Sequence, residues 1–194
     1  MKKEPETDFF DLWRGVLADP ENVFAAERRR ASVNGAIKHL AVGAALFSAM
    51  YAATFHLMPG MPSGAQPFEL PRALLFALAN TVVCTAALFL IIAANYVVAK
   101  ALEGKGSFRE HMFMGAVVTA PSLAIYYGLR LFPGIGMLLG LLALAYYVYL
   151  NLLMLRRVHR LGKAQAFAAL FVPSAALVLI VLVMSGGTAA QAVI

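Results

Sequence analysis

The chain has 194 residues, 61% of them hydrophobic and 13% charged, with a mean hydropathy of +0.76 and a net charge of +6. A soluble domain is closer to half apolar and a quarter charged, so the composition excludes a water-soluble fold and points to an integral membrane protein. The basic residues gather at the ends of apolar runs, where membrane topology puts them, and this excludes nucleic acid as the reason for the positive charge.

Taken in order, residues 1–36 mix seven acids with six bases around no uninterrupted apolar core, so no cleavable signal peptide is visible. Within them Phe9, Phe10, Trp13, Val16 and Leu17 share one helical face. Such an amphipathic helix lies either in the membrane interface or under the protein's own cytosolic face. Asp19-Pro20 starts a second helix, as N-cap and first-turn proline. It leads to Arg28, Arg29 and Arg30, a topology anchor near lipid phosphates or a docking site for an acidic partner.

Five apolar runs follow, each about 20 residues, the length needed to cross a bilayer as a helix. None alternates like an outer-membrane strand. The first, Ile37 to Leu57, carries Ala41, Ala45, Ala49 and Ala53, a small-residue stripe suited to close helix approach. Met58 to Pro71 is a proline-rich loop. The second, Leu74 to Leu102, is long enough to tilt or project, and carries Asn80, Thr81, Cys84, Thr85 and Asn95 on one side. The single cysteine, Cys84, can form no disulfide within the chain.

Leu102 to Glu110 is the polar loop at the centre of the chain. Gly104 and Gly106 suit left-handed turn positions, and Ser107 with Glu110 spells a capping box for the next helix. The third run, Met112 to Leu131, aligns Gly115, Thr119, Ser122, Tyr126 and Arg130, with Pro121 expected to kink it. Leu131 to Gly134 is a tight turn. The fourth run, Ile135 to Leu155, aligns Gly136, Gly140, Ala143, Tyr147 and Asn151, and Gly136 with Gly140 forms a GxxxG pair. A basic loop from Arg156 to Lys163 precedes the fifth run, which contains Pro173 and ends near Met184.

Fourteen of the sixteen Lys and Arg residues fall on one side of this arrangement, leaving Arg72 and Arg130 on the other. The positive-inside rule therefore predicts a cytosolic amino terminus and an outer carboxy terminus. The expected organisation is an all-α, five-span bundle over 37–185, a cytosolic or interfacial segment over 1–36 and a short outer tail over 186–194. The expected location is the cytoplasmic membrane.

The string from Leu102 to Pro121, LEGKGSFREHMFMGAVVTAP, resembles the bacterial and archaeal branch of the Yip family, small multispanning proteins related to eukaryotic Ypt/Rab-interacting proteins. The similarity continues through Pro133-Gly134-Ile135-Gly136, Leu155-Arg156-Arg157-Val158-His159, Lys163-Ala164 and Pro173, and includes the Phe9-to-Trp13 segment with Asp19-Pro20 and Phe24. The resemblance implies five spans with a cytosolic amino terminus. It supplies no catalytic residues, and the long cytosolic region of the GTPase-associated relatives is here only about 36 residues.

Gly104-Lys105-Gly106-Ser107 lacks the upstream glycine and the strand of a phosphate loop. A weaker reading keeps the helix start at Ser107, with Lys105 and Arg109, as a site for a lipid phosphate. His39, His56, His111 and His159 show no metal-ligand spacing, and only folding could bring His39, His111 and His159 together. All ten acids lie outside the spans, unlike a proton-coupled carrier, and no nucleophile–base set appears. No enzyme, metal or cofactor is expected.

Two functions remain. The favoured one is a non-enzymatic protein that organises membrane or binds a protein partner through Trp13, Arg28, Arg29, Arg30, Lys105, Phe108, Arg109, Arg156, Arg157 and His159. The alternative is a channel or transporter, as a homo-oligomer or alone, lined by Asn80, Thr81, Thr85, Asn95, Thr119, Ser122, Tyr126 and Asn151. In the favoured reading those residues bond helices together instead.

Overall fold

A computed structural model describes residues 8–57, 69–130, 132 and 134–176, excluding the side chains of 54–57 and 130. The expected loop from Met58, the end of the fifth run and the tail over 186–194 lie outside the described residues. The fold is all-α: α1 (Phe9–Ala18), α2 (Pro20–Glu27), α3 (Val33–Leu57), α4 (Leu70–Ala101), α5 (Phe108–Arg130), α6 (Ile135–His159) and α7, described over 163–176. Four of these, α3 to α6, are long and apolar enough to cross a membrane, which makes this a multi-pass membrane protein.

Local chemistry sets the helix ends. Asp8 caps α1 by accepting from the Phe10 amide at 2.9 Å. Asp19 caps α2, with Pro20 in the first turn, and also binds the Asn22 side chain at 2.6 Å. Ser107 and Glu110 form the expected reciprocal box, at 2.9 and 3.3 Å. The turn between α5 and α6 passes through Gly134 at φ +77°, a conformation suited to glycine.

The glycines of the central loop differ from expectation. The left-handed residue is Glu103, at φ +65°, and neither Gly104 nor Gly106 has positive φ. These glycines answer to space. A Cβ on Gly104 would lie 2.6 Å from the Ala99 carbonyl oxygen and 2.8 Å from His159 Nδ1, and one on Gly106 would lie 2.7 Å from Val158.

α5 is the central helix, packed against α1, α3, α4 and α6. Every residue from His111 to Ser122 is buried. The main core lies in the basic half of the bundle, where Phe24, Ala99, Met114, Val117, Leu155 and Leu170 meet. α3 approaches α5 through Gly43, where a Cβ would stand 2.7 Å from Ala120 Cβ and 2.8 Å from its Cα. The face α3 turns inward carries Leu40, Gly43, Ala44, Ser48 and Ala52. Ala45 and Ala49 of the expected stripe are exposed. Gly115 likewise lets α5 close on Ile92 of α4, and Gly136 and Gly140 are buried in α6. α5 continues through Pro121, which lacks the N–H that would reach the Val117 carbonyl. Pro173 lies within α7 and is partly buried.

Candidate functional site: the basic end of the bundle

α1 and α2 are tied to the larger helices at several points. Trp13 is 6% exposed and its indole N–H donates to His39 Nδ1 at 2.9 Å. Phe9 stacks on the same imidazole, ring centres 4.1 Å apart, and Phe113 meets it edge-on. Tyr146 Oη donates to the Leu17 carbonyl at 2.6 Å. Arg28 grips Glu110 with two nitrogens, at 2.6 and 3.3 Å, so the residue that completes the capping box of α5 also anchors the end of α2. That carboxylate pushes the Arg28 guanidinium further above its already high pKa. Arg157 pairs with Glu21 and holds its carboxyl below the usual carboxylate range. Because Glu21 is depressed on folding, its contribution is present above its unfolded pKa and is lost as pH falls through the folded one.

Beneath these ties lies a histidine pair. His111 Nδ1 and His159 Nε2 are 2.9 Å apart, and His111 Nε2 is 2.9 Å from the Ile92 carbonyl oxygen. A carbonyl only accepts, so Nε2 of His111 carries a proton. In the neutral ring its Nδ1 then accepts from the Nε2–H of His159. His159 is 1% exposed and its Nδ1 has no hydrogen-bond partner; that edge faces Gly104, the close packing that excludes a Cβ there. The pair thus joins α4, α5, α6 and the central loop. Tyr96 completes the aromatic surround, with ring centres 5.6 and 5.8 Å from the two imidazoles.

Three of the loop amides are occupied. Gly104 N–H donates to Ala99, Lys105 N–H to His159 and Ser107 N–H to Glu110, each at 2.9 Å. Lys100 Nζ donates to the Gly104 carbonyl at 2.8 Å. These bonds leave no nest of free amides from Gly104 to Ser107, as a phosphate cradle would require.

The surface residues singled out from sequence therefore divide. Trp13 and His159 are buried, Arg28 and Arg157 are in ion pairs, and Arg30 lies 3.7 Å from Glu27. Arg29, Lys105, Arg109 and Arg156 are exposed. Phe108 is 37% exposed and leans on Tyr96, with ring centres 5.2 Å apart. Arg156, Arg157 and Arg160 come together with Glu21, Leu153 and Leu161 around a hollow of about 460 Å³.

The intramembrane polar residues are mostly bonded locally. Thr81, Thr85 and Ser122 each donate to the carbonyl four residues earlier at 2.7 Å, and Asn151 donates to Tyr147 at 2.9 Å. Between helices, Asn80 donates to the buried Ser48 at 2.9 Å, and Thr119 lies 3.5 Å from Tyr147 Oη. Tyr126 packs edge-on against Tyr127. Asn95 is buried with its Oδ1 unpartnered. Among the described residues no group of three or more His, Cys, Asp or Glu could hold a metal.

Sequence spacing did not reveal the His111–His159 and Trp13–His39 bonds, because 48 and 26 residues separate the partners. No curated protein and no solved structure matches the chain. The sequence profile of the Yip1 domain matches residues 14–185, from the first helix past the described part of α7. With four apolar spans and a match that covers most of its length, the chain belongs to the Yip1 domain family.

Proposed function

We propose that this is a non-enzymatic Yip protein of the bacterial and archaeal branch that binds a protein partner, or organises membrane, through its basic end. In this reading it crosses the cytoplasmic membrane five times, with the amino terminus and the basic end in the cytosol and the carboxy terminus outside. The observation that carries the proposal is the exposed Phe108 beside exposed Lys105 and Arg109, on a loop held by the capping box, Lys100 and the His159 backbone. An exposed aromatic among cations on a well-anchored loop is the kind of anchor that protein interfaces use.

A photocrosslinking amino acid at Phe108, with Phe132 on the opposite turn as control, tests this in native membranes. One protein captured repeatedly at Phe108 and absent at Phe132 is the expected result. Capture of lipid alone, or of a second copy of the chain, would count against a partner-binding role.

Transport is the second reading, favoured by the unpartnered Asn95 Oδ1. Against it, the hydroxyls of Thr81, Thr85 and Ser122 are spent on their own helices, and Asn80 bonds across to Ser48 of the neighbouring helix, as helix glue does. Liposomes containing the protein are therefore expected to leak small neutral solutes and ions no faster than empty ones. A flux that disappears in the Asn80→Leu, Asn95→Leu double variant would establish transport instead.

A further inference from the structure

α1 and α2 form a hairpin that runs up the side of the bundle and back. α1 starts level with Phe113, through Phe9 and His39. Its last turns, from Trp13 to Ala18, share a hollow with Pro121, Ala124 and Ile125. From Phe113 to Ile125 is about 18 Å of helix, and ten residues of α1 span about 15 Å, so α1 lies along α5 and not across its end. α2 returns along α6 to Arg28, which meets Glu110 in the first turn of α5. The hairpin tip, with exposed Ala18 and Asp19, thus sits beside the middle of α5.

This placement conflicts with a flat bilayer. If the bundle is raised until the tip clears the hydrocarbon, α5 retains only residues 121–130, about 15 Å, to cross a layer about 30 Å thick. If it is lowered until all of α5 is immersed, Arg14 and Asp19 lie near mid-depth, where each charged side chain costs roughly 3 kcal/mol or more.

Exposure of apolar side chains resolves the conflict. On α4 large exposed apolar residues run from Leu70 to Val97, about 40 Å. On α6 they run from Ile135 only to Tyr149, about 21 Å. The band ends in the exposed pair Tyr146 and Tyr149, residues typical of the headgroup level, and Tyr146 is bonded to the hairpin at Leu17. Just beyond is the hollow with Arg156, Arg157 and Arg160 against a single acid, Glu21. Arginine forks suit phosphate oxygens.

We infer that the α1–α2 hairpin displaces lipid of the leaflet at the basic end, so that phospholipid headgroups meet the protein at Tyr146 and Tyr149, their phosphates held by Arg156 and Arg160. The bilayer beside α6 is thinned while α4 faces its full thickness. The protein thereby shapes the membrane around one of its sides. This deepens the membrane-organising part of the proposed function and rests on α3 to α6 crossing a bilayer.

The test uses the full chain with Cys84→Ser, in liposomes of phosphatidylethanolamine and phosphatidylglycerol, with nitroxide labels at Ala18→Cys or Val83→Cys. Both positions are exposed. The Asn80–Ser48 bond and the Gly43–Ala120 contact put Val83 at about the height of Pro121. The label at 18 is expected to collide with a water-soluble nickel chelate at least several-fold more often than the label at 83. Equal exclusion of nickel at both labels would overturn the inference. Nickel contact at both would overturn the spanning assignment with it. Native mass spectrometry supplies the second arm: retention of phosphatidylglycerol is expected to fall at least five-fold in Arg156→Gln, Arg160→Gln and to stay unchanged in Arg72→Gln. Unchanged retention in the double variant would overturn the headgroup site.

Discussion

Replacing Gly43 by leucine is expected to remove most of the folded protein from detergent extracts, whereas Ala45→Leu, two residues away on α3, leaves it intact. At Gly43 even a Cβ would stand 2.7 and 2.8 Å from Ala120 Cβ and Cα and 3.1 Å from its carbonyl oxygen. The obstacle is partly backbone, so no rotamer change relieves it, and α3 must separate from α5. Overpacking typically costs 1–3 kcal/mol where side chains can adjust, so this substitution is expected at or above about 3 kcal/mol. Ala45 is exposed, and such positions usually tolerate change within about 0.5 kcal/mol. Thermal unfolding followed by size-exclusion recovery measures both variants. Equal loss in the two would mean that Ala45 carries a contact as important as that of Gly43.

The second large effect is expected from His111→Ala. The substitution leaves a cavity at a fully buried site and strips the partner from the Nε2–H of His159, which is itself 1% exposed. An unmade buried hydrogen bond costs about 1–3 kcal/mol, and truncating a large buried side chain commonly costs about 2–5, so a total near 4 kcal/mol is expected. His159→Ala should cost a similar amount. The double variant should cost clearly less than the two singles combined, because the second truncation removes a group that the first had already orphaned. Additive losses in a thermal or denaturant series would show that the two rings act independently. Gly104→Ala bears on the same junction, since its Cβ would press on the Ala99 carbonyl and on His159.

The helix starts were legible because each is written within four residues. Asp19 with Pro20, and Ser107 with Glu110, bond as their spacing predicts. The span-length runs were legible because a bilayer demands about 20 consecutive apolar residues, and α3 to α6 meet that demand. The packing side of α3 was not legible: Ala41, Ala45, Ala49 and Ala53 look as suitable as Leu40, Gly43, Ala44, Ser48 and Ala52. Only the approach of Ala120 selects the latter. The roles of Gly104 and Gly106 were also misleading, because a glycine needed for a turn and one needed for clearance read alike.

Composition, periodicity and capping residues by themselves determined an all-helical membrane protein, the position of its central polar loop and the concentration of basic charge at one end, although the expected basic loop from Arg156 is helix as far as His159. These are short-range properties, set by helix geometry and by the cost of burying charge in hydrocarbon. Only the tertiary structure decided that His111 meets His159, that Trp13 is spent on His39, and that α1 climbs α5 with Tyr146 bonded to its last turn. Those choices depend on which backbones can approach closely. The approach is set by the shapes of residues far apart in the chain, through contacts that no local spacing records.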